Sequence, residues 1–171
     1  DRPFKKPEYP PMNIVLIGFM GSGKSSVGRA LAKQKGMYFI DTDSLIESFE
    51  GQKIRDIFAN HGEGYFRELE KKTFNWLSSC VDNAVVSTGG GMPTVIDSFS
   101  SLGKTIYLKV GFDTLLDRLK AEEFDKRPLF QDINFAKKIF EAREPMYLQK
   151  ADVIIDANSD FETVLKEALA L

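Results

Sequence analysis

Residues Gly18-Phe19-Met20-Gly21-Ser22-Gly23-Lys24-Ser25 satisfy the pattern G-x-x-x-x-G-K-[ST] at every fixed position. That pattern demands a particular piece of backbone. A strand must end, a loop must turn its N–H groups inward around an anion, and a helix must present its positive end to the same point. The flanking residues comply: Asn13 to Ile17 is a short apolar run, and Val27, Ala30 and Leu31 give the following segment an apolar helical face. In such a loop Lys24 reaches the terminal phosphates and the Ser25 hydroxyl is placed to ligate Mg²⁺. A chance glycine-rich turn would need neither the strand nor the helix. The motif therefore predicts binding of a nucleoside triphosphate, and with it an α/β chain.

A phosphate loop alone does not separate kinases from GTPases or motor ATPases. No Asn-Lys-x-Asp run of the guanine-reading kind is present, and 171 residues are too few for a ring ATPase or helicase. A small kinase fits the size. A net charge of −2 argues against a nucleic-acid or anionic-membrane partner. No apolar run approaches the ~18 residues of a membrane-spanning helix, so a soluble protein is expected. The single cysteine, Cys80, and single histidine, His61, exclude an internal disulfide and thiolate or imidazole zinc sites. Any metal must then be held by oxygen, and the compartment is expected to be reducing, hence cytoplasmic. Cys80 is expected to be buried packing and His61 to sit at a helix end before Gly62.

Short apolar runs alternate with longer amphipathic stretches, as in a parallel sheet flanked by helices. Strands are predicted at Asn13 to Ile17, Met37 to Ile40, Ala84 to Ser87, Thr105 to Lys109 and Asp152 to Ile155, each buried on both faces. Helices are expected to start at Lys24, Thr42, Ile54, Gly64, Thr94, Asp113, Asp132 and Phe161. Residues 1–11, with four of the seven prolines, read as a disordered or extended leader, and residues 12–171 as one domain.

Ligands in such sheets bind beyond the carboxyl ends of the strands. Only the second predicted strand ends in acids, Asp41-Thr42-Asp43. On an extended segment both carboxylates face one way, which suits one for a metal and the other for an acceptor hydroxyl. A helix cap is the plainer role for Asp43. The run Gly89-Gly90-Gly91 allows close backbone approach to a ligand, although a flexible turn would also use glycine. Arg143 falls on the apolar stripe Ala136, Ile139, Phe140, Tyr147, and Arg67 flanks the stripe Phe66, Leu69, Thr73, Leu77 with Glu70 three residues on. Cations there must be paired or bind an anion, and two guanidinium groups together make a carboxylate or phosphate clamp. Pro145 is expected to kink the helix that carries Arg143. The charged stretch at about residues 120–131, with Arg127, reads as a mobile flap over phosphates, or else as a solvated loop.

In this order these motifs resemble the shikimate kinases, P-loop kinases of the nucleoside-monophosphate-kinase-like group. The phosphate loop, Asp41-x-Asp43, Gly62-Glu63…Phe66-Arg67…Glu70, Gly89-Gly90-Gly91, Arg127-Pro128-Leu129 and Arg143 carry the likeness. The resemblance implies a three-layer fold with a five-stranded parallel sheet in order 2-3-1-4-5, flanked by helices, with a mobile lid. It implies transfer of the ATP γ-phosphoryl group to the 3-hydroxyl of shikimate, giving shikimate 3-phosphate and ADP, in a monomer. Implied ATP contacts are Gly21, Ser22, Gly23, Lys24, Ser25, Ser26, Arg118, Arg127 and Asn158, with Ser25 and Asp41 toward Mg²⁺. Implied acceptor contacts are Asp43, Arg67, Gly89, Gly90, Gly91 and Arg143, with Ile54, Phe58 and Phe66 as an apolar wall. Asp43, Lys24 and Arg127 carry the catalytic roles. Two rivals stay open: a kinase of another small acceptor such as gluconate or a nucleoside monophosphate, and a catalytically silent nucleotide-binding module.

Overall fold

A computed structural model describes residues 12–121 and 132–171. The leader at 1–11 and the flap beyond Ala121, including Arg127, lie outside the described residues. In chain order the elements are β1 (Asn13–Ile17), α1 (Lys24–Lys35), β2 (Tyr38–Asp41), α2 (Thr42–Glu50) and α3 (Ile54–Cys80). There follow β3 (Ala84–Ser87), a 3₁₀ turn at Met92–Thr94, β4 (Gly103–Lys109), α4 (Phe112–Ala121), α5 (Ile133–Lys150), β5 (Val153–Asp156) and α6 (Phe161–Leu169).

The five strands form one parallel sheet in the order β2-β3-β1-β4-β5. β1 lies at its centre, Val15 facing Val86 on one side and Thr105 on the other. Its Val15, Leu16 and Ile17 are fully buried, as continuous apolar sequence in a doubly covered strand requires. The buried Asn13 amide fastens the entry to the sheet. Its Nδ2 donates to the Val81 and Leu102 carbonyls at 2.9 Å, and its Oδ1 accepts from the Ala84 N–H at 2.9 Å. One side chain thereby aligns the starts of three strands, and every polar atom it buries is satisfied.

Several expectations need correction. The outer strands are not buried on both faces, since Tyr38 on β2 and Ile154 on β5 are exposed at the two sheet edges. No α-helix starts at Thr94; the Met92-Pro93-Thr94 turn is 3₁₀ and ends there. α5 runs on through Pro145. The proline and the Glu141 carbonyl it leaves without a helical donor both lie on the exposed face, where water can solvate the carbonyl. Cys80 is exposed at the end of α3 rather than packed. The helices expected from Ile54 and Gly64 run on as α3, bent at Gly62, whose φ of 83° is non-helical. His61, just before that bend, stacks on Tyr65 with ring centroids 4.4 Å apart. Beside the main core, α2 and α3 bury a small cluster of Ile46, Ile57, Phe66 and Leu69 that Ile54 and Phe58 pack against. Among the described residues, no helix is long and apolar enough to cross a membrane.

Candidate active site

The phosphate loop links β1 to α1, and its shape depends on Gly21 and Gly23, at φ 87° and 92°, which side chains other than glycine rarely adopt. Lys24 folds back over the loop, its Nζ donating to the Gly18 and Phe19 carbonyls at 2.6 and 3.1 Å. Its ammonium therefore lies across the mouth of the cradle. Ser22 is buried, and its Oγ meets no partner among the described residues. Ser26 is exposed on the first turn of α1.

Ser25 and Asp41 meet directly, Ser25 Oγ donating to Asp41 Oδ2 at 3.2 Å. The other oxygen of Asp41 accepts from the Ser44 N–H at 3.1 Å, so Asp41, not Thr42 or Asp43, caps α2. Asp43 is thus not on an extended segment beside Asp41; it lies in the first turn of the helix. The turn still brings it back to the same place. Burial raises its pKa to about 6, with Asp41 as the next cause and Lys24 and Arg67 pulling the other way. A carboxylate so placed is mostly ionised at neutral pH yet basic enough to take a proton.

The glycine run that follows β3 explains how the site is joined. A Cβ on Gly89 would stand 2.6 Å from Asp43 Oδ1, one on Gly90 would stand 3.5 Å from Arg143 Nη1, and one on Gly91 would collide with the Arg67 guanidinium. At Gly89 and Gly91 a side chain would run into a charged group, from α2 and α3, whereas at Gly90 a Cβ would only touch Arg143 of α5 at ordinary contact distance. The N–H groups are not all available to a ligand, as the sequence suggested. Gly89 N–H donates to Thr42 Oγ1 at 3.0 Å, a contact the sequence gave no reason to expect. The Gly90 and Gly91 N–H groups donate to no described residue.

The two arginines differ in support. Arg67 is held by Glu63, at 3.2 Å from Nη2, and by Nη1 pairing with Glu70 Oε1. Glu70 is fully buried, and its second oxygen has no partner among the described residues. Burial pushes its pKa up to about 7 against the pull of Arg67. Removing one member of such a buried pair typically costs about 3–5 kcal/mol, so the pair acts as a unit. Arg143 lies over the Phe19 ring at 5.9 Å.

Arg118 and Asn158 are engaged locally. Arg118 Nη2 donates to the Ala157 carbonyl at 2.5 Å, and its Nη1 reaches the Ser22 carbonyl at 3.5 Å, tying the phosphate loop to the turn after β5. Asn158 Oδ1 accepts from the Gly111 N–H at 2.9 Å, which joins the ends of β4 and β5.

A family model described as shikimate kinase matches residues 20–171. The chain belongs to the shikimate kinase family. A shikimate kinase of Helicobacter hepaticus is 43% identical over 147 residues, covering 86% of this chain and 87% of its own. Among solved structures, the shikimate kinase of Bacteroides thetaiotaomicron superposes with a TM-score of 0.83 at 33% identity, covering 94% of this chain and 99% of its own. The Acinetobacter baumannii shikimate kinase, solved in complex with shikimate, gives 0.81 at 31% identity, covering 95% and 92%. The family is an ATP-using one, and its P-loop kinase fold is the sheet order and helix arrangement found here.

Proposed function

We infer that this chain transfers the γ-phosphoryl group of ATP to the 3-hydroxyl of shikimate, in the synthesis of aromatic amino acids, and we propose the residues that do so. The observation that carries the assignment is the apposition of Asp43, Arg143 and Arg67 to Gly89, Gly90 and Gly91 in turn. An acceptor lying along that run would meet a base at one end and two guanidinium forks at the other. A small hydroxy acid with its carboxylate away from the reacting hydroxyl fits this polarity better than a nucleotide does, and the family match favours shikimate over gluconate.

Arg67 and Arg143 bind the shikimate carboxylate, and the Gly90 and Gly91 N–H groups contact the ring substituents. Asp43 orients the 3-hydroxyl and accepts its proton as the oxygen attacks. The phosphate-loop N–H groups and Lys24 hold the triphosphate, with Arg127 contributing charge to it; Arg118 and Asn158 shape the nucleotide end. Phosphoryl transfer needs little more than this positioning and charge neutralisation.

The Ser25–Asp41 pair suits a hard cation. Among the described residues no three His, Cys, Asp or Glu side chains gather into a metal cage, and Mg²⁺ is commonly held by one or two protein oxygens plus phosphates. Bound there, Mg²⁺ would neutralise charge on the phosphates. The proposal extends to a cytoplasmic monomer, checked by size-exclusion chromatography and cell fractionation.

The decisive assay measures ADP release with ATP, Mg²⁺ and shikimate, omitting each component in turn and replacing shikimate by gluconate or a nucleoside monophosphate. Release that depends on shikimate alone among the acceptors is expected. Equal release with gluconate would refute the acceptor assignment, and acceptor-independent release would refute the kinase.

A further inference from the structure

Three side chains of α5 at successive turns address the segment that follows β3: Arg143, Tyr147 and Lys150. Tyr147 is fully buried, with its ring 5.1 Å from that of Tyr107. Its hydroxyl donates to the Gly90 carbonyl at 2.6 Å and lies beside the Arg143 side chain, whose charge acts on it. Gly90 is also the residue whose open Cα side faces Arg143 Nη1. Hydroxyl, carbonyl and guanidinium thus close a three-way junction.

The Gly90 carbonyl shares a planar trans peptide with the Gly91 N–H, so fixing one fixes the direction of the other. Packing alone would be served by phenylalanine, since the ring is apolar and enclosed. The hydroxyl adds the junction. Burial pushes the phenol up to about 12, which keeps it a donor across the working pH range.

We propose that Tyr147 is a positioning residue for the acceptor: its hydroxyl locks Arg143 and the Gly90–Gly91 peptide into the orientation that receives the shikimate carboxylate. This rests on Arg143 holding that carboxylate, and the test separates the two. Lys150 supplies the control. Its Nζ bonds the Pro93 carbonyl and, at 2.6 Å, the Ile96 carbonyl, which braces the same segment farther along.

Steady-state kinetics are compared for Tyr147→Phe, Lys150→Met, Arg143→Ala and the Arg143→Ala/Tyr147→Phe double variant. Tyr147→Phe should raise the shikimate KM about five- to twentyfold and leave the ATP KM within about twofold. The double variant should weaken shikimate binding by clearly less than the product of the two single effects, because part of the hydroxyl's action runs through that guanidinium. Lys150→Met should lower the melting temperature while the shikimate KM stays within about twofold. A shikimate KM unmoved by Tyr147→Phe, an equal rise in Lys150→Met, matching rises for ATP and shikimate, or fully multiplicative effects in the double variant would each overturn the role. An unchanged KM in Arg143→Ala would instead defeat the carboxylate reading, and the proposal with it.

Discussion

The nucleotide end and the acceptor end of the site are built on opposite plans. The phosphate loop is eight consecutive residues, six joining β1 to α1 and two opening α1, and its binding groups are mostly backbone N–H donors held by local glycine conformations. The end proposed to hold the acceptor draws Asp43 from α2, Arg67 from α3 and Arg143 from α5 onto three glycines that follow β3. One is a local motif that needs only its own strand and helix. The other exists only when four segments distant in sequence have packed. The difference also appears in the electrostatics, because the acceptor end carries two carboxylates that burial drives toward their neutral forms, Asp43 at about 6 and Glu70 at about 7. Charge that is costly to keep in the free protein becomes useful when substrate completes its pairing.

The largest effect expected from breaking this contrast is at Asp43. Asp43→Asn should lower kcat by roughly 10²-fold or more while the KM for ATP stays near the parent value, because the lost group serves only the acceptor hydroxyl. Near-normal turnover in a steady-state assay would remove Asp43 from the chemistry. Next comes Arg143→Ala, which should raise the shikimate KM with little change in that for ATP. A desolvated charge-assisted contact contributes about 2–4 kcal/mol, or roughly 30- to 1,000-fold.

The pH dependence is smaller. A base with a pKa of about 6 in the free protein is mostly ionised at pH 7 and mostly neutral at pH 5, so kcat/KM for shikimate should fall roughly tenfold between them. A flat profile over that range would argue that Asp43 orients the hydroxyl without taking its proton. The smallest effect is on stability. The folded-state pKa is raised, so this group favours folding below its unfolded value of 3.8, and that contribution is lost as pH rises through about 6. Asp43→Asn should therefore be more stable than the parent by about 1–2 kcal/mol at pH 8, and the gap should close toward pH 4 in denaturant titrations.

What could be read from the sequence follows the same division. The phosphate loop was legible to the residue, since its geometry is written in adjacent glycines, and the alternation of apolar runs gave the parallel sheet. The residues proposed for the acceptor stood out as misfits: Arg143 on an apolar stripe, Arg67 beside another, and glycines too many for a connection. Their order along the glycine run was not, because it depends on where α2, α3 and α5 dock. Thr42 and Tyr147 were missed for a related reason. A threonine between two aspartates reads as a cap, and a tyrosine on the Ala136–Phe140 stripe reads as core, although its hydroxyl is what the fold uses. The edge strands and exposed Cys80 were misjudged because apolar content says how a segment could be buried, not where the sheet ends.

The central claim is that absent side chains at Gly89 and Gly91 make room for the charged groups that meet the acceptor. Calorimetric titration of Gly91→Ala with shikimate, and separately with ATP and Mg²⁺, tests it most directly, since the added methyl must displace the Arg67 guanidinium. Shikimate affinity should fall by about tenfold or more while nucleotide affinity stays within about twofold. Unchanged shikimate affinity, or an equal loss for both ligands, would contradict it.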